Sequence, residues 1–146
     1  MRVKDWEKKL DEQVQELLKS DTFIRGKNDC GTFVVNVINA ITNKKVFNKE
    51  YKTLKEFKEI LKQNKKKDLL DLVNDIALEN NFNRIDVDKA QRGDVLYYTD
   101  DKSELNGTVG ICIGDRSIFS SKDGIHIKLN NSCTIAWRIK WKFIIK

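Results

Sequence analysis

Apolar positions recur every three or four residues through the first half of the chain, then switch to every second residue. In DWEKKLDEQVQELLKS, residues 5–20, Trp6, Leu10, Val14, Leu17 and Leu18 fall at helical spacing, and Asp5 stands as an N-cap candidate. A second helix is predicted from about Cys30 to Thr42. Its residues Phe33, Val34, Val37, Ile38 and Ile41 make a broad apolar face, so it is the expected central helix, with Asp29 as its cap. TLKEFKEILKQ, opened by Thr53, and DLLDLVNDIALENN, opened by Asp68 and stopped near Asn80-Asn81, predict two more. The period then changes to two. DVLYY, TVGICIG, RSIFSS, GIHIKL and CTIAWRIKWKFII read as strands, with hairpin signals at IGDRS and at SKDGI, which holds an Asp-Gly pair. Helices first and an antiparallel meander over residues 94–145 predict an α+β fold, with N-terminal helices packed on a C-terminal antiparallel sheet. A chain of 146 residues suits one domain spanning 1–146.

Composition removes several function classes. No stretch approaches the ~18 apolar residues of a membrane span, and MRVKDWEKKL runs into an amphipathic pattern without the apolar core of a signal peptide. The protein is therefore expected to be made in a cytoplasm. Three cysteines with no C-x-x-C pair, and one histidine, supply no zinc ligand set, so no metal and no cofactor is expected. The net charge of +6 rests mostly on lysine in a chain rich in asparagine and free of proline, a compositional bias rather than a nucleic-acid signature. Lys65-Lys66-Lys67 reads as a solvated connector, no arginine-rich stripe with interleaved aromatics occurs, and nucleic acid is not an expected partner.

Four features stand in order along the chain. FIRG forms an aromatic-x-x-Gly turn ahead of Asp29-Cys30, QRGDVLYY precedes the first long strand, TVGICIG follows, and then SIFSS. This order resembles the NlpC-type cell-wall peptidases, a branch of the papain-like superfamily, over roughly residues 22–130. The ending CTIAWRI and the N-terminal DWEKKL helix are closer still to a branch of that superfamily found in phage and prophage tail gene clusters. The resemblance implies a thiolate nucleophile, a histidine base and a third polar residue that orients the imidazole. The nucleophile position is Cys30, the histidine position directly before Val-Gly-Ile is Thr108, and the orienting position is Ser120. Threonine has no proton affinity near neutral pH and cannot serve as a general base.

His126 reads either as an exposed strand histidine or as a relocated base. Its alternation with Ile125 and Ile127 turns it to solvent, and it is expected two strands from Thr108, on the order of 10 Å away. Cys30 is either a buried small residue or a thiol activated by its helix N-terminus, with Asp29 opposing activation. Cys112 is expected to be a core thiol touching a helix, and Cys133 to begin the last strand. Asp94 is expected to serve the turn and backbone hydrogen bonding. Trp137, Ile139, Trp141, Phe143 and Ile145 share a face by parity and either close the core or leave an edge strand free for a partner.

The expected function is that of a catalytically degenerate NlpC-like domain, a structural or binding component of a phage tail or its assembly, virion-associated and partnered by other tail or virion proteins. The alternative is an active cysteine peptidase or amidase that cleaves peptidoglycan peptides with Cys30. A third reading is a bacterial binding module.

Overall fold

The computed structural model describes residues 1–140. Four helices come first: α1 Trp6–Lys19, α2 Cys30–Thr42, α3 Leu54–Gln63 and α4 Leu69–Glu79. Strands follow: β1 Asn83–Ile85, β2 Val95–Thr99, β3 Gly107–Cys112, β4 Arg116–Ser121, β5 Gly124–Leu129 and β6 Ile135–Arg138, with single 3-10 turns at Val87–Lys89 and Asn130–Ser132. The strands make one antiparallel sheet in the order β1-β6-β2-β3-β4-β5. The protein is thus α+β, with N-terminal helices and a C-terminal antiparallel sheet. Among the described residues no helix is long and apolar enough to cross a membrane.

The helix starts differ in how they are closed. Thr53 and Glu56 form a reciprocal capping box on α3, and the Asp68 side chain accepts the Asp71 amide on α4. Asp5 and Asp29 occupy N-cap positions without a side-chain cap bond, against expectation. The Asp29 carboxylate instead accepts from the Gly26 amide and from the Thr32 and Tyr51 hydroxyls.

Strand alternation gives the sheet two sides with different cores. Val95, Tyr97, Val109, Ile111, Ile118 and Trp137 pack with the helices, where Val37 and Ile41 of α2 are fully buried. Leu96, Cys112, Phe119 and Ala136 face the other way and form a smaller cluster with Cys133. Cys112 therefore touches no helix of the main core, contrary to expectation. Its Sγ bonds the Gly114 carbonyl at 3.0 Å. Cys133 precedes its strand, which starts only at Ile135. On α1, Leu18 is half exposed, because a narrow stripe of Trp6, Leu10 and Leu17 suffices to meet the core.

The largest departure concerns the C-terminal strand. The sequence pattern left β6 a possible free edge, but β6 lies inside the sheet between β1 and β2. β1 is three residues long, too short to show alternation, and it takes the outer side of β6. Trp137 and Ile139 are buried in the domain's own core, so that face closes the fold. Trp141, Phe143 and Ile145 lie outside the described residues.

Candidate functional site

Cys30 opens α2 because the turn before it is held in a conformation that few residues tolerate. Gly26 has φ +85°, and a Cβ there would sit 1.8 Å from the Tyr51 carbonyl oxygen. The Gly26 amide donates to Asp29 Oδ1 at 2.7 Å, and Thr32 Oγ1 donates to the same oxygen at 2.7 Å. Tyr51, in the loop between α2 and α3, donates its hydroxyl to Asp29 Oδ2 at 2.6 Å. Burial, reinforced by the Asp29 charge, pushes the Tyr51 phenol pKa up, which keeps it a donor. Asp29 is thus the hub of the turn that presents Cys30. From β4, Ser120 Oγ donates to the Asn28 carbonyl at 2.6 Å and ties the same turn to the sheet.

Cys30 is 7% exposed, and its sulfur accepts from the Val109 amide of β3 and the Gly31 amide of its own helix. Burial pushes the thiol pKa from 9.0 to about 11, and Asp29 adds to the rise. The two amides and Arg25 pull the other way without offsetting it. The helix N-terminus therefore fails to produce a thiolate at neutral pH, since desolvation of the charge outweighs the donors.

The register sorts the remaining candidates by side. Tyr97 pairs with Val109, and Gly110 with Phe119, so Val109 and Ser120 both lie on the helix side. Thr108 pairs with Tyr98 and points to the other side, away from α2. His126 pairs with Phe119 and is exposed on that same far side, with β4 between its strand and β3. Cys30, Thr108, Ser120 and His126 all border one cleft of about 360 Å³ at the end of the sheet. Thr108 directly precedes Val109, whose amide meets the Cys30 sulfur, and β4 separates the strand of His126 from β3. The cleft rim carries both signs of charge, with Arg25 and Lys102 near Asp100 and Asp123. Among the described residues no group of three or more His, Cys, Asp or Glu is placed to hold a metal.

Three residues of this region went unremarked in the sequence. Tyr51 sits in a loop without periodicity, and Thr32 is a polar residue inside an apolar helix. Tyr97 reads as an ordinary core residue of its strand, yet among the described residues its hydroxyl has no hydrogen-bond partner and is buried. It lies beside Gly107, where an added Cβ would come within 2.4 Å of it. Since an unpaired buried hydroxyl is costly, Tyr97→Phe is expected to stabilise the protein by about 1 kcal/mol. Urea denaturation of both proteins reads this directly, and a loss of stability would mean that the hydroxyl is bonded in solution.

The fold and this site define an α+β domain that presents a buried cysteine at the start of its central helix, against an antiparallel sheet. The chain belongs to the DUF6950 family, a domain of unknown function whose profile matches residues 1–139. No curated protein matches the chain.

Proposed function

We propose that this protein is a catalytically degenerate NlpC-like domain that serves as a structural or binding component of a phage tail or its assembly. The observation that carries the reading is the state of Cys30: a buried thiol with a pKa near 11, with β4 separating the strand of His126 from β3. Peptide hydrolysis by cysteine needs a thiolate and a proton acceptor that later serves as the acid for the leaving amine. The position before Val-Gly-Ile holds a threonine, which takes up no proton near neutral pH. At the third position Ser120 has spent its hydroxyl proton on the Asn28 carbonyl. What remains is a cleft with mixed charge on its rim, suited to holding a polypeptide segment without cutting it.

The test is an assay of the purified protein on peptidoglycan peptides beside Cys30→Ala. No Cys30-dependent cleavage is expected, and its detection would restore the active-peptidase reading. Thr108→His is expected to yield no activity either, because burial holds the Cys30 thiol protonated up to about pH 11. For the assembly role, a tagged copy produced during phage growth is expected in purified particles or tail precursors. Recovery only as free protein would remove that role.

A further inference from the structure

The sheet has two edges, and they are not alike. β1 is three residues long, the short kind of edge that resists pairing. β5 is six residues long, and among the described residues nothing pairs with its outer side. Every second residue of an antiparallel edge strand turns its N–H and C=O outward, so β5 offers a row of unmet backbone groups. The usual protections are missing. The chain has no proline. The one lysine of the strand, Lys128, folds its ammonium over the Tyr98 ring at 4.0 Å instead of standing on the edge. The strand also carries exposed aliphatic surface: Ile127 is 48% exposed and Leu129 47%, on the side where Ile125 packs against the main core.

We infer that β5 is a self-association edge at which two copies of this chain pair antiparallel about a two-fold axis through Ile127, joining their sheets into one. A second copy fits for a reason of parity. In an antiparallel hydrogen-bonded pair both residues point their backbone groups at each other. Identical strands expose the same alternate residues, so odd-numbered positions of one copy must face odd-numbered positions of the other. Self-pairing therefore always sets Ile125, Ile127 and Leu129 against the same three residues and never against His126 or Lys128. Centred on Ile127, it places Ile127 on its own copy and Ile125 on Leu129, covering the aliphatic surface that the helices leave open. Such an isologous contact closes as a dimer and does not propagate into a fibre. One strand pair is a small interface, and the charge of +6 on each copy opposes it, so the dimer is weak in dilute solution and favoured where copies are held close together. The inference stands on β5 alone, and its failure leaves the reading of the Cys30 cleft untouched.

Sedimentation equilibrium of the full chain at physiological salt, taken up to about 1 mM because small interfaces are weak, is the direct test. The average mass is expected to rise with concentration toward twice that of the monomer. Ile127→Lys and, separately, Leu129→Lys are expected to weaken association about tenfold or more, with circular dichroism and thermal midpoint unchanged. Directly opposed residues of paired strands stand roughly 4.5–5.5 Å apart at Cα, within disulfide range. Ile127→Cys is therefore expected to cross-link into a dimer with oxidised glutathione as the electron acceptor. A wild-type chain that stays monomeric at the highest concentration overturns the inference. So does a dimer indifferent to both lysine variants, or one in which the introduced cysteines do not cross-link.

Discussion

Replacing Asp94 with alanine is expected to cost the fold about 3–5 kcal/mol, the range for removing one partner from a buried ion pair. Asp94 is fully buried at the entry to β2. Its Oδ1 accepts from Arg2 Nη2 at 3.2 Å and from Arg138 Nε at 3.1 Å, and its Oδ2 from Arg138 Nη2 at 2.8 Å and the Gln91 amide at 2.7 Å. The expected turn and backbone hydrogen bonding is present, with Gln91 and with the Cys112 amide, and the larger role is to hold two arginines. The Arg2 side chain is 1% exposed and also donates to the Ile139 and Arg92 carbonyls, with its guanidinium 4.3 Å from the Trp6 ring centroid. Burial lowers the Arg2 pKa while the hydrogen bond to Asp94 raises that of Arg138. The two directions differ because Arg138 is 23% exposed and loses little hydration. Alanine at 94 would strand the Arg2 charge in the interior and free the N-terminus, the β2 entry and the end of β6 together. Asp94→Asn keeps one acceptor and should cost less. Urea midpoints of the two variants measure this, and a loss below about 1 kcal/mol for alanine would mean that water reaches Arg2.

The second large effect is expected in alkali. A cysteine thiol of the unfolded chain ionises near 9.0, whereas burial holds Cys30 protonated to about 11. Between those values the unfolded state has released a proton that the folded state still keeps, so rising pH favours unfolding. The Cys30 contribution is complete below pH 9 and is lost as pH rises toward 11, roughly 3 kcal/mol for two pKa units. Cys133, pushed up to about 11 by burial, acts in the same window. Cys112 shifts in the same direction, and the buried phenols of Tyr51 and Tyr97 extend the loss further. Denaturation series between neutral pH and pH 11 should show stability falling steadily above pH 9, and less steeply for Cys30→Ala. An unchanged slope in that variant would mean that the thiol ionises as readily in the folded protein as in the unfolded one, which would reopen the case for a reactive cysteine.

Much of the site was legible because it is local. Helical spacing placed the α2 start at Cys30, and the Gly-containing turn before it follows from residues within a few positions of one another. The order of Cys30, Thr108 and Ser120 along the chain was legible too. The side of the sheet on which each candidate stands was not. Alternation says that Thr108 and Val109 point oppositely, but it does not say which of them meets the helices. That depends on which face of β3 carries the larger apolar load. Val109 and Ile111 carry it against α2, while Gly110, where a Cβ would lie 2.5 Å from the Ile118 carbonyl, only admits the close approach of β4. Arg2 gave no sign of itself, since the side-chain hydrogen bonds it makes to Ile139, Arg92 and Asp94 span about ninety residues or more.

By itself the sequence determined the four helices, the change to strands from about residue 94, the two-sided character of those strands and the cysteine at the head of the central helix. These rest on spacing within short segments, which backbone geometry converts directly into faces. Only the tertiary structure decided that β6 is interior and β5 the long free edge, that Cys30, Thr108, Ser120 and His126 border one cleft, and that Asp29 and Asp94 are buried hubs. Each of those outcomes depends on contacts between distant parts of the chain. A three-residue strand without periodicity, a tyrosine in a loop and an arginine at position 2 acquire their roles only when the fold brings their partners to them.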